Sequence, residues 1–178
     1  GSMLLVALGT AFHGTIAAAP QASVPQHVAA VVRADAGPGK ELLATVKGKK
    51  HFPLYVPTIL ERSSYPDTAP GDKAVRSYWI DGRGKHKAVR LVFRTGGNEY
   101  WGIQETDWDG APALADKSFR HDLGGREFDL YYTGSRLHMV VLRAHGATYW
   151  VVNTLLDSLS NETMLAIAKG LKPLTSAR

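Results

Sequence analysis

Asp107 and Asp109, separated by Trp108 in TDWDG, are the first residues whose types and spacing could do chemistry, since a D-x-D can hold a divalent cation between two carboxylates. Hard cations take about six or more oxygens, so a two-carboxylate spacing is by itself a weak signal. An aspartate before a glycine also builds a tight loop, which Trp108 can pin down, and that reading is preferred. The seven histidines, His13, His27, His51, His86, His121, His138 and His145, show no H-E-x-x-H and no clustered ligand spacing. Roles in strands and turns account for them. No G-x-S-x-G elbow supports a Ser-His-Asp assembly. Gly96 with Gly97, and Gly124 with Gly125, fall between strands, whereas a phosphate-binding glycine loop opens a helix. The absence of cysteine removes disulfides and thiolate chemistry. A hydrolase or transferase is thus the minor reading, with no catalytic residue, metal site or cofactor assigned.

Binding is the stronger reading. With 21 basic against 16 acidic residues the chain carries a formal charge of +5, which favours anionic partners. The cations gather in two groups: Lys40, Lys47, Lys49 and Lys50 with His51, and Arg83, Lys85, Lys87 and Arg90 with His86. Clustered cations attract phosphates and carboxylates at long range, with a strong dependence on salt. No nucleic-acid recognition motif accompanies the charge, so nucleic acid is not an expected partner. Aromatic residues lie on or near strands, several as adjacent pairs such as Tyr100 with Trp101. Neighbours in a strand point to opposite faces, so one member of each pair belongs to the core and the other can form an exposed platform. The candidate binding residues are Lys47, Lys49, Lys50, Arg83, Lys85, Lys87, Tyr100, Trp101 and Trp108.

The elements that must position these residues follow from pattern. Strands are expected over residues 75–81, 86–95, 98–105, 118–123, 126–133, 136–144 and 148–155. Short connections bearing glycine join them, which makes neighbours antiparallel and leaves no room for parallel crossovers. In REFDLYYT, Phe128, Leu130 and Tyr132 share one face while Glu127, Asp129 and Tyr131 share the other. The sheet is therefore expected to be covered on one side and wetter on the other. Its cover is a C-terminal helix: Ser160 is an N-cap, Glu162 suits the first turn, Met164, Ile167, Ala168 and Leu171 form an apolar stripe, and Lys169 and Lys172 suit the C-terminal end.

Residues 1–2 read as a cloning remnant. Residues 4–19 are apolar but fall short of a bilayer span, and read as an export signal, part of an anchor, or a packed helix. Proline and glycine punctuate residues 20–39, with a short helix expected over 26–33. Residues 3–39 are thus assigned to an N-terminal segment and linker, and 40–178 to one domain. The fold class is α+β: an antiparallel meander of about five to seven strands against a C-terminal helix, with a further N-terminal helical segment.

The ordered segments FPLYVPTIL, EYWGIQETDWDGAPAL and GREFDLYYTGSRLHMVVLRAHGATYWVVNTLLDSLSNETMLAIAKGL, within residues 52–171, resemble the C-terminal accessory region of some actinobacterial LytR-CpsA-Psr (LCP) family proteins. That family transfers lipid-linked glycopolymers onto the bacterial cell wall, with a cytoplasmic tail, a membrane anchor and an extracytoplasmic catalytic domain. The chain is too short to hold the catalytic domain beside the matched segments, and its arginine and aspartate pyrophosphate-binding pattern has no counterpart here. The resemblance therefore implies a setting, extracytoplasmic and anchored or exported in a bacterium, and carries over no catalytic residue. It implies a non-catalytic cell-envelope accessory module that binds an anionic wall glycopolymer, a membrane surface or a cell-envelope protein. The alternative is a carrier of lipids with a half-barrel cavity. A continuous internal cavity would favour the carrier, converging carboxylates and histidines an enzyme, and a filled core with surface patches the accessory module.

Overall fold

The computed structural model describes residues 31–46, 51–68, 73–81 and 83–175. In chain order they form β1 (Val32–Ala34), α1 (Gly37–Ala44), β2 (Tyr55–Pro57), β3 (Ile59–Glu61), β4 (Tyr65–Pro66), β5 (Val75–Ile80), β6 (His86–Arg94), β7 (Tyr100–Thr106), a 3-10 turn (Pro112–Leu114), β8 (Phe119–Leu123), β9 (Arg126–Thr133), β10 (Arg136–Ala144), β11 (Ala147–Val152), α2 (Asn161–Lys169) and β12 (Leu171–Pro173). The fold is α+β with one eight-stranded antiparallel sheet, in the order β4-β6-β7-β11-β10-β9-β8, and β5 lies beside β4 on the same edge of β6. Two short pairs, β1 with β3 and β12 with β2, tie the N-terminal part to the end of the chain. No helix among the described residues is long and apolar enough to cross a membrane.

One face of the sheet carries the main core. Val89, Leu91, Ile103, Phe128, Val140, Leu142, Tyr149 and Val151 are buried there with Met164, Ile167 and Ala168 of α2 and Leu43 of α1. The N-cap of α2 is Ser160, whose Oγ accepts from the Thr163 N–H at 3.1 Å. Its other end is held by Arg126, which donates to the carbonyls of Lys169 and Leu171, a cation placed where the helix dipole is negative. Gly170 follows because a Cβ there would lie 2.7 Å from Ile59 Cγ1. Only glycine lets the helix end approach β3 so closely.

The second face is not wet. The β7–β8 connection crosses it, and Ala111 and Leu114 cover Tyr131, Met139, Val141 and Trp150 in a separate apolar cluster. Tyr131 donates its hydroxyl to the Leu114 carbonyl at 3.0 Å, fastening this cover. Asp129, expected on the solvated face, is completely buried. The N-terminal boundary differs as well. β1 and α1 belong to the fold and span the division expected at residue 40. The helix expected over residues 26–33 lies mostly outside the described residues, and Val32 and Arg33 are in β1.

Candidate functional site

The site begins at the edge where the sheet is interrupted. β4 and β5 both run along β6, and Val92 is shared between them: its carbonyl accepts from the Asp67 N–H at 3.0 Å and its N–H donates to the Ala74 carbonyl at 2.8 Å. The chain thus leaves the edge after Asp67 and returns at Ala74. Beside this interruption a groove runs along β5, lined by α1 and the residues after it on one side and by Lys73, Arg76, Lys87 and Arg90 on the other. No carboxylate is among its described lining residues. The hydroxyl of Ser77, which also lines it, is buried and has no hydrogen-bond partner among the described residues.

The register gives this groove its chemistry. Arg76 lies directly opposite Arg90 across the antiparallel pair of β5 and β6. Opposed like charges at about 5 Å between Cβ atoms are destabilising. Both arginines are exposed, and neither makes an ion pair among the described residues. On the adjoining corner Lys87 Nζ sits 4.6 Å above the ring of Trp79, which is 54% exposed. Trp79 is not among the residues lining the groove, and by alternation it and Lys87 lie on the sheet face opposite to that of Arg76 and Arg90.

Arg90 also reaches a second cavity of about 320 Å³ on the sheet face opposite α2. Its floor is Gly102, Trp150, Val152, Met139 and Tyr131, and its polar groups are Arg90, Gln104 and His138. Gln104 is oriented by Tyr78, whose hydroxyl donates to Oε1 at 2.8 Å. Burial raises the Tyr78 pKa, with the neighbouring Arg90 acting the other way, so the phenol keeps the proton it donates. Gly102 admits no side chain, since a Cβ would meet the Leu91 carbonyl oxygen at 2.7 Å.

His138 is set at this cavity by an irregularity in β10. The pairing with β9 shifts between Leu137 and Met139, so His138 is the extra residue of a bulge, which re-aims its side chain. Its Nδ1 lies 2.8 Å from Asp157 Oδ1. An ionised carboxylate only accepts, so Nδ1 carries the proton and Nε2 is the nitrogen left for other partners. Asp157 is held in turn, because the Arg136 guanidinium donates to its carbonyl at 2.6 and 3.1 Å.

The residues singled out from sequence do not converge. Lys47, Lys49 and Lys50 lie outside the described residues. Lys87 lines the groove, while Arg83 and Lys85 are exposed in the β5–β6 turn, where their N–H groups donate to Asp81 Oδ1 at 2.7 and 3.1 Å. Those backbone bonds, Lys85 first, outweigh burial and hold the Asp81 carboxyl below its usual range. Tyr100 is exposed at the other end of the sheet under the Arg94 guanidinium, with which its hydroxyl bonds. Trp101, expected as part of the binding surface, is core: it is 2% exposed, stacks on Phe93 at 4.6 Å and donates its indole N–H to Ser64 Oγ. Trp108 stacks on His86 at 5.5 Å between ring centres. Asp107 accepts from the Lys87 N–H and faces His86 Nδ1, both at 3.2 Å, so its carboxylate is engaged with the start of β6. No group of three or more metal-ligating side chains gathers among the described residues.

Arg76 and Gln104 are not singled out from sequence, and His138 reads there as an ordinary strand residue. A hairpin with residues 82–85 as its loop would set Asp81 opposite His86 and Arg76 opposite Leu91; the connection is one residue longer, so Ile80 faces His86 and Arg76 faces Arg90. Comparison of the chain with protein-family models, with curated proteins and with solved structures finds no match.

Proposed function

We infer that this domain is a non-catalytic binding module of the bacterial cell envelope, and that it holds an anionic, phosphate-bearing glycopolymer along the β5 edge. The observation that carries this reading is the opposition of Arg76 and Arg90 in a groove with no carboxylate among its described lining residues. Like charges opposed in register weaken the hairpin unless an anion joins them, and guanidinium forks match phosphate oxygens closely. The length of the groove suits repeated charges rather than one small anion. β5 has six residues and so spans about 20 Å, with Lys73 before it and Lys87 paired near its end. Trp79 offers a flat apolar face to a sugar ring beside the Lys87 ammonium. The resemblance of residues 52–171 to LCP accessory regions supports the extracytoplasmic setting.

A titration of the whole chain against a poly(glycerol phosphate) wall polymer and against an uncharged glycan of similar length tests this reading. The phosphate polymer is expected to bind, the uncharged glycan not. Replacing Arg76 and Arg90 together by Glu is expected to lower affinity on the order of tenfold or more, and added salt to weaken the unaltered protein in parallel. Affinity that is indifferent to both charge reversal and salt would refute it.

A further inference from the structure

Among the described residues Leu155 and Leu156 are the most exposed large apolar side chains, at 95% and 80%. They are the two central residues of a turn closed by a bond from the Asp157 N–H to the Thr154 carbonyl at 3.0 Å. Their exposure is imposed by a dense set of local bonds. Asn153 Oδ1 accepts from the N–H groups of Thr154 and Leu159 at 2.7 and 3.1 Å, and its Nδ2 donates to the carbonyls of Leu137 and Leu159 at 2.8 and 3.0 Å. Thr154 Oγ1 accepts from the Ser158 N–H at 2.8 Å. Polar groups that order a loop usually serve a buried purpose, yet these hold two leucines in water.

The register shows what shares that end of the sheet. Val152 lies opposite Gly102, and Arg94 lies opposite both Tyr100 and Tyr65. Tyr65 and Tyr100 are 46% and 42% exposed. The described chain begins at the same end, where the Val31 carbonyl accepts from the Arg62 N–H at 2.8 Å. Upstream in the sequence lie residues 4–19, which contain no Asp, Glu, Lys or Arg. Arg33, Arg62, Arg94 and Arg136 are balanced at this end by Glu61, Asp67, Glu99 and Asp157, so no net field selects a strongly charged partner.

We propose that Leu155 and Leu156 insert into a lipid bilayer, with Tyr65 and Tyr100 at headgroup level, so that this end of the sheet faces the membrane. Two protruding side chains offer too little area for a stable protein interface, which buries on the order of 1,200 Å² or more. A bilayer asks only for depth. The N–H groups of Thr154, Asp157, Ser158 and Leu159 are already bonded within the loop, so the turn can leave water without orphaning them. Tyrosine, apolar in its ring and wet at its hydroxyl, suits the flanking interfacial positions. This contact is apolar and independent of the cationic groove on the β5 edge.

The chain contains no cysteine, so Leu156→Cys gives a single attachment point for an environment-sensitive fluorophore. The labelled full chain is mixed with phosphatidylcholine and phosphatidylglycerol vesicles carrying a spin-labelled lipid. Lys85→Cys, in the turn at the opposite end of β6, serves as the control, and circular dichroism confirms the fold of both. A blue shift and quenching at position 156 but not at 85 is expected, largely unaffected by salt, and Leu155→Glu should reduce vesicle partition on the order of tenfold. Co-sedimentation with an unquenched label at 156, or no co-sedimentation at all, overturns the proposal. Replacing Arg76 and Arg90 by Glu should weaken polymer binding on the order of tenfold or more and leave the quenching intact, which separates this inference from the function of the groove.

Discussion

Two pairs of arginines sit at opposite ends of one row of the sheet, and they are treated in opposite ways. The row runs Arg76, Arg90, Gln104, Trp150, Val141, Asp129, Arg120, each directly opposite the next across β5, β6, β7, β11, β10, β9 and β8. At the far end Arg120 and Arg143 converge on the fully buried Asp129 at 2.7 and 2.9 Å. Burial alone would raise the Asp129 pKa, but the two guanidinium bonds outweigh it and hold the carboxyl below its usual range. At the near end Arg76 and Arg90 oppose each other with no such carboxylate among the described residues. A buried carboxylate between arginines completes a structure from within, whereas Arg76 and Arg90, neighbours on one wall of the groove, have no carboxylate among its described lining residues.

The comparison can be broken at several points. The largest effect is expected at the centre of the row, where Trp150 packs between the two ends at 6% exposure. Trp150→Ala should cost about 3 to 5 kcal/mol in a urea denaturation, by emptying the second apolar cluster. Next comes Asp129→Asn, which removes the shared anion from two partly exposed arginines. It should cost about 2 to 4 kcal/mol, below the full value for a buried pair because Arg120 and Arg143 can recover water. Because the folded pKa of Asp129 is depressed, its contribution is complete above the unfolded value of about 4 and fades as pH falls through the folded one. Stability measured from pH 7 down to pH 2 should therefore drop more steeply in the unaltered protein than in Asp129→Asn. The smallest effect carries the opposite sign. Arg76→Gln should stabilise the unliganded protein by about 0.2 to 1 kcal/mol, since it relieves a like-charge pair.

How far this molecule is legible from sequence differs between its parts for physical reasons. From Val75 onward alternation and glycine turns specify the strands, and β9 and β10 keep the bounds expected of them. The helix starts after its Ser160 cap as expected but ends at Lys169, and Leu171 and Lys172, expected in its stripe and at its end, lie in β12, where they pair with β2. α1 is illegible to the same rules because Gly37, Pro38 and Gly39 read as breakers, although proline is tolerated in a first turn, where its missing N–H costs nothing. Period two shows that Tyr131 and Asp129 share a face, but it does not reveal that the β7–β8 connection folds over Tyr131 or that Arg120 and Arg143 close on Asp129. The bulge at His138 leaves a trace, since Leu137 and Val140 both reach the main core three residues apart, where strict alternation would send one of them to the other face. The tryptophan of the 100–101 pair is core because Ser64 and Phe93 meet it there, contacts that come from distant segments.

The account stands most directly on whether Arg76 and Arg90 await an anion. The decisive measurement is the urea stability of the unaltered chain and of Arg76→Gln, each with and without saturating poly(glycerol phosphate). The unaltered protein should be the less stable of the two when alone and should gain more from the polymer, because at a given ligand concentration the added stability rises with the logarithm of affinity. Equal stability alone together with equal gain on adding polymer would contradict the account.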